Sequence, residues 1–324
     1  FFCSHLVIDF GSYNLSKVFP KLYQKLKFIK FTFWNSFPNL RQNIFKTENH
    51  IMNSVIIKPK NEILKNYVQY FLFFEKTNHD FLTYTTFPNS NLCLAIYKEN
   101  IISYDNQNNL CEVNVGRAFT SRFYGFHKKS FQVNIDSLLS QICIIFQPSA
   151  LRAFTKESYD ELMFSDSVFD EIFSSDKNIL EKIFEIDDFS KRANELEILL
   201  LKKLNDSVSD TMKEALMLIN QNNSIIINEL SKSLKISEAT LFRLFKSNLG
   251  QNPKSYLKTL RFRNVLNDLS QSKNSLTTVA YQNLFYDQAH FIKDFKMFSG
   301  FSPKKLAEKI SVNQKDLTWI YNKD

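Results

Sequence analysis

Arg243 and Lys293 stand 50 residues apart, each at the same place in a repeated stretch. The first copy is 239–254, ATLFRLFKSNLGQNPK, and the second is 289–304, AHFIKDFKMFSGFSPK. Ala239/Ala289, Phe245/Phe295, Lys246/Lys296, Gly250/Gly300, Pro253/Pro303 and Lys254/Lys304 are identical at that offset, with no gap. The chain has only 5 glycines and 7 prolines, so the return of both at one register marks two copies of one supersecondary unit. The chemistry on offer is that of cations beside a small residue. Guanidinium and ammonium groups suit phosphates and guanine edges, and alanine permits close approach.

Helical spacing decides which of these side chains are free to act. In the first copy Leu241, Leu244 and Phe245 share one face, within about 100° of arc, while Ala239, Arg243 and Lys246 point away and Phe242 lies on the border. The second copy repeats this: Phe291 and Phe295 point in, Ala289, Lys293 and Lys296 point out, and Ile292 is on the border. Ser237 and Asp287 are N-cap residues, Gly250 and Gly300 can end each helix in a left-handed turn, and Pro253 and Pro303 suit the first turn of the next helix.

The positioning elements follow. From 211 onward the pattern predicts helices over 211–221, 226–234, 238–249, 253–269, 275–282, 287–298 and 303–311. A short amphipathic helix precedes each copy, giving helix, tight turn and second helix, the arrangement whose second helix enters the major groove of DNA.

Charge agrees with this division. Residues 208–310 carry 15 Lys/Arg against 8 Asp/Glu, a net +7, whereas 52–207 carry 17 against 21, a net −4. A basic C-terminal hundred residues beside a mildly acidic middle is the footprint of a nucleic-acid-binding module joined to something else, and equally of a solvated basic face.

The middle reads as β structure. Short apolar runs at 54–60, 81–87, 92–97, 100–104, 111–120 and 141–147 are separated by polar turns, and 61–74 fits either helix or strand. From 150 to 206 the pattern is helical. Leu196, Leu199, Leu200 and Leu204 form a stripe that packs within the chain or, alternatively, against a second copy. Asn205–Asp210 reads as a linker. Residues 1–51, with 9 Phe and no amphipathic period, are read as a non-native upstream extension ahead of a start at Met52; a genuine extension of the domain is the alternative. The expected organisation is therefore 1–51 extension, 52–207 sensor or dimerisation domain, 208–310 DNA-binding domain and 311–324 tail.

Several function classes are excluded. The glycines (Gly11, Gly116, Gly125, Gly250, Gly300) supply no GxGxxG, GxxxxGK[ST] or GxSxG pattern. The cysteines (Cys3, Cys93, Cys111, Cys143) form no CxxC pair and the histidines (His5, His50, His79, His127, His290) no HxxxH, so no metal or cofactor site is expected. No apolar run approaches the roughly 18 residues of a membrane span, and no basic signal-peptide start is read. The scattered cysteines fit a reducing, cytoplasmic setting.

The repeat and its surroundings resemble the AraC/XylS family of bacterial transcription regulators over roughly 208–310. The match is carried by Leu230, Ser237, Leu241, Arg243, Phe245-Lys246, Gly250, Pro253, Tyr256-Leu257 and Leu260-Arg261. In the second half it is carried by Val279-Ala280, Phe285, Phe291, Phe295-Lys296, Gly300 and Ser302-Pro303. The resemblance implies two helix-turn-helix units joined by a long linker helix, about 253–269, with recognition helices entering successive major-groove segments. It implies base-facing positions Ala239, Phe242 and Arg243 in the first unit and Gln288, Ala289, Ile292 and Lys293 in the second. With the outward cations Lys246 and Lys296, these are the candidate DNA-binding residues. Leu284 departs from the family's usual Gly, Ala289 replaces a common Ser, and Asp294 stands where the first copy has Leu244. The stretch Ile144–Phe154, IIFQPSALRAF, is similar to the sensor part of a Bacteroidetes-type branch of the family. It implies an α+β architecture: a cupin-like β-barrel with trailing helices, then the all-α double helix-turn-helix.

The function expected is sequence-specific DNA binding for transcription regulation, without enzymatic activity. Double-stranded DNA is the expected partner, with RNA polymerase, a small-molecule effector and a homodimer as further partners, and no membrane. Two alternatives stand beside it. A methyl-acceptor DNA-repair enzyme carrying the same module would need a reactive cysteine in an electropositive, partly exposed setting. A protein-interaction module would bind through the same helices without salt-sensitive DNA binding. His79 and His127 are candidate ligands or effector contacts. Tyr84, Tyr97, Tyr104 and Tyr124 could line a barrel mouth, with core packing the alternative.

Overall fold

The computed structural model describes residues 53–105, 107–116, 118–124, 127–173, 178–205, 208–271, 288–309, 312–314 and 317–321. The upstream reading of 1–51 and the expected helix 275–282 lie outside them.

Nine strands build the middle region: β1 (Asn53–Ile57), β2 (Val68–Lys76), β3 (Leu82–Thr86), β4 (Leu92–Lys98), β5 (Asn100–Asp105), β6 (Leu110–Val115), β7 (Thr120–Tyr124), β8 (Phe131–Ile135) and β9 (Leu139–Phe146). One sheet has the order β1-β2-β9-β4-β7 and is antiparallel throughout. The other runs β3-β8-β6-β5, with β6 and β8 parallel. Two strands from the segment read as a tail, β10 (Val312–Gln314) and β11 (Leu317–Tyr321), extend this second sheet through β3. The expected barrel is thus two open sheets; no closed barrel forms among the described residues. The run 111–120 is not one strand. It breaks at Gly116, and its two parts join different sheets.

The first sheet is buried on both faces, which is why β2, β4 and β9 read as near-continuous apolar runs. Tyr70, Leu72 and Phe74 face the second sheet with Ala95, Cys143 and Ile145. Phe71 and Phe73, with Leu94, Ile96, Ile142 and Ile144, face a helical layer. That layer comprises α1 (Tyr159–Phe164), α2 (Val168–Phe173), α3 (Ile179–Phe184) and α4 (Phe189–Lys203). Leu196, Leu199 and Leu200 are buried in this core and Leu204 packs against it, so the leucine stripe serves packing within the chain. Buried polar groups lock α4 down. Glu197 accepts from the amides of Lys60 and Asn61, both at 2.8 Å. Arg192 reaches Glu75 at 3.2 Å and donates to the Phe184 carbonyl at 3.0 Å.

The C-terminal part is helical: α5 (Asp210–Gln221), α6 (Ile227–Ser233), α7 (Glu238–Leu249), α8 (Pro253–Gln271), α9 (Gln288–Ser299) and α10 (Pro303–Lys309). These match the expected helices to within a residue or two. Helix α8 spans roughly 28 Å and serves two cores. Tyr256 closes the first with Met212, Leu230, Leu241 and Phe245. Phe262, Val265 and Leu266 build the second with Phe291, Phe295, Phe298 and Leu306.

Candidate nucleic-acid interface

The first unit is α6, a turn, and α7. The turn carries Lys235 at φ 54°, a left-handed residue that redirects the chain between the helices. Ser237 then caps α7, its side chain accepting from the Thr240 amide at 3.1 Å. Leu241 and Phe245 are fully buried, and Ala239, Phe242, Arg243 and Lys246 are exposed. Phe242 keeps 47% of its surface accessible, large for a phenylalanine and unexplained by packing. The Arg243 guanidinium lies 3.3 Å from the Thr240 hydroxyl, one turn back on the same face. Gly250 ends the helix at φ 70°.

The second unit ends in α9 in the same way. Phe291 and Phe295 are buried, Ala289, Lys293 and Lys296 are exposed, and Gly300 stops the helix at φ 77°. Ile292 is half-buried and packs on the second core, so less of it reaches the surface than of its counterpart Phe242. Gln288 opens α9, and its side chain lies outside what is described. Asp294 pairs with Lys258 of α8 at 3.6 Å, which explains a carboxylate where the first unit has Leu244. The structure therefore gathers the exposed candidates into two equivalent faces, Ala239–Phe242–Arg243–Lys246 and Ala289–Lys293–Lys296, each opposite a buried aromatic.

The middle region grips both units at matching positions. Tyr159 donates its hydroxyl to the Asn248 carbonyl at 2.7 Å. Ser130 donates its amide to the Phe298 carbonyl at 2.7 Å and its hydroxyl to the Ser299 carbonyl at 2.9 Å. Asn248 and Phe298 are repeat equivalents, so each α7/α9 C-terminus finds a partner for carbonyls that a helix end leaves orphaned. Sequence reading missed these contacts, which join positions far apart in the chain.

The cysteine expectation is also answered. Burial pushes the Cys111 thiol up to about 11, and a hydrogen bond with Cys93, followed by burial, raises that of Cys143. These two are buried thiols in strands, without the depressed pKa of a reactive nucleophile, so neither suits the methyl-acceptor alternative. Tyr84, Tyr97, Tyr124 and His127 line a cavity between the sheets, whereas Tyr104 packs edge-on against Phe131 and His79 is exposed. No group of His, Cys, Asp and Glu suited to a metal ion, and no helix long and apolar enough to cross a membrane, occurs among the described residues.

Comparison with known proteins agrees with this geometry. Residues 230–309 match the family described as "Helix-turn-helix domain", and 56–166 match "Domain of unknown function (DUF6597)". The lactose operon transcription activator of Staphylococcus xylosus is 29% identical over 112 residues, 34% of this chain and 40% of that protein. The raffinose operon transcriptional regulatory protein RafR of Pediococcus pentosaceus is 31% identical over 93 residues, 29% of this chain and 34% of that one. The chain thus spans at most 40% of the length of either relative. ToxT from Vibrio cholerae aligns at 12% identity and a TM-score of 0.39, covering 74% of this chain and 97% of that one. Together, the family match and the repeat geometry identify residues 230–309 of this chain as a helix-turn-helix domain of the AraC type.

Proposed function

We propose that the protein is a sequence-specific DNA-binding transcription regulator whose two helix-turn-helix units read successive major-groove segments under the control of its N-terminal part. The observation that carries this reading is the pair of equivalent helices α7 and α9, each burying a phenylalanine and exposing cations beside an alanine. In this reading 208–310 is the DNA-binding domain and 52–207 the sensing or dimerising one. Ala239, Phe242, Arg243 and Lys246 meet one groove segment; Gln288, Ala289, Ile292, Lys293 and Lys296 meet the next. Double-stranded DNA is the direct partner, and an effector, RNA polymerase and a second copy act through the same assembly in the cytoplasm.

The experiment selects preferred duplexes from random sequence and compares the wild type with Arg243→Ala and Lys293→Ala. A bidentate arginine–guanine pair discriminates by about 1–3 kcal/mol, so Arg243→Ala should relax preference in one half of the site. Lysine is less directional, so Lys293→Ala should weaken binding to the other half with a smaller change of preference. Binding through six or so phosphates should fall roughly a thousandfold between about 50 and 200 mM salt. A flat salt response would favour the protein-interaction alternative and overturn the reading.

A further inference from the structure

A cavity of about 120 Å³ remains between the two sheets. That is close to the roughly 150 Å³ void that accommodates benzene in another protein, so it suits a molecule of one ring. Its walls are mostly apolar, with Ala95, Leu72 and Cys143 among them. Polar groups line it as well. Tyr97 and Tyr124 are hydrogen-bonded to each other at 3.2 Å, and Asn91 and Gln141 also line the space. His127 lines it too, with its Nε2 buried and without a hydrogen-bond partner. Burial pushes the His127 imidazole down to about 4, against a hydrogen bond to the Phe87 backbone that raises it and the Arg263 charge that lowers it further, so the ring is neutral. No charged side chain lines the cavity among the described residues. A charged ligand would surrender its hydration there without compensation, whereas a hydroxyl could satisfy Nε2.

The cavity shares a wall with the second helix-turn-helix unit. Phe87 lines it and at the same time belongs to the core of that unit, its ring 6.4 Å from that of Phe262. Phe131 also lines it, stacked edge-on against His127, and the preceding residue Ser130 holds the end of α9. No cavity-lining residue belongs to the core of the first unit.

We propose that this cavity binds a neutral, one-ring-sized molecule bearing a hydroxyl, and that its occupancy is read by the second helix-turn-helix unit through Phe87 and Ser130. This rests on the sensing role proposed above and gives it a ligand class and a direction. The test uses the full chain with p-cresol as probe and 4-hydroxybenzoate, the same ring with a carboxylate, as the charged control. Binding is followed by calorimetry and the response by hydrogen exchange. p-Cresol should bind saturably, and the benzoate about tenfold more weakly or worse. Exchange should change at 87–91 and 288–301 and stay constant at 238–249. Ala95→Leu and Cys143→Leu, two independent ways of filling the space, should each abolish p-cresol binding while leaving a cooperative melt. Absence of saturable binding, equal binding of the benzoate, binding that survives in a folded filling variant, or an exchange response confined to the sheets would each overturn the proposal. Neither readout involves DNA, so a failure here is distinguishable from a flat salt response, which would strike only the DNA-binding reading.

Discussion

Gly250 and Gly300 end the two equivalent helices α7 and α9, yet alanine should cost far more at the first. Both residues sit in the left-handed region, at φ 70° and φ 77°, where a Cβ costs about 1–2 kcal/mol. At Gly300 that is nearly the whole penalty, because the nearest atom to a new Cβ is the Ser130 hydroxyl oxygen at 3.5 Å, an ordinary contact. At Gly250 the new Cβ would lie 3.0, 3.1 and 3.2 Å from three atoms of Tyr159. Tyr159 is buried and its hydroxyl donates to the Asn248 carbonyl, two residues before the glycine. Moving the ring aside breaks that bond, and a buried group left unsatisfied costs about 1–3 kcal/mol. The expected losses are therefore about 2–5 kcal/mol for Gly250→Ala and about 1–2 kcal/mol for Gly300→Ala. Urea unfolding of both variants measures the difference. Repeating Gly250→Ala in a Tyr159→Ala background isolates its cause, since the excess should then vanish. Equal losses at the two glycines, or an excess that persists without Tyr159, would refute the claim that the middle region grips the end of α7.

Other consequences can be checked by the same means. Lys235 holds φ 54°, so Lys235→Gly should raise stability by up to about 1 kcal/mol, the relief of the left-handed strain less the added freedom of glycine when unfolded, read as a higher urea midpoint. Phe245→Ala and Phe295→Ala remove fully buried rings from separate cores and should each cost about 3–5 kcal/mol, whereas Arg243→Ala should leave the melting curve almost unmoved. His127 should make the fold acid-sensitive. Its folded pKa is about 4 against the ordinary 6.5, so between those values the unfolded chain takes up a proton that the folded one does not. Stability present above pH 6.5 is then lost as the pH falls toward 4, and His127→Asn should flatten that part of a stability–pH curve.

The helix-turn-helix module was legible because its signals are local. Helix periodicity, the cap at Ser237 and the glycine–proline punctuation act over a few residues, and the 50-residue repeat supplied each twice. They place α7 and α9 and sort buried Phe245 and Phe295 from exposed Arg243 and Lys293. The strands of the middle region were legible as apolar runs, with two failures. Strand β8 is five residues of alternation too short to stand out, and the run 111–120 concealed a change of sheet at Gly116.

Pairing order, the open sandwich in place of a barrel, and the cavity inside it depend on which strand meets which, a choice that no local pattern encodes. The same holds for the grip on α7 and α9: Tyr159 reaches Asn248 across 89 positions, and Ser130 reaches Ser299 across 169. Composition and spacing along the chain determined a helical C-terminal module with a repeated helix, α7 and α9, exposing cations at matching positions. Only the tertiary structure could decide that Phe87, a residue between two strands, completes the core of one unit and walls the cavity of another region, because side-chain packing joins residues by proximity in space and not by their order in the chain.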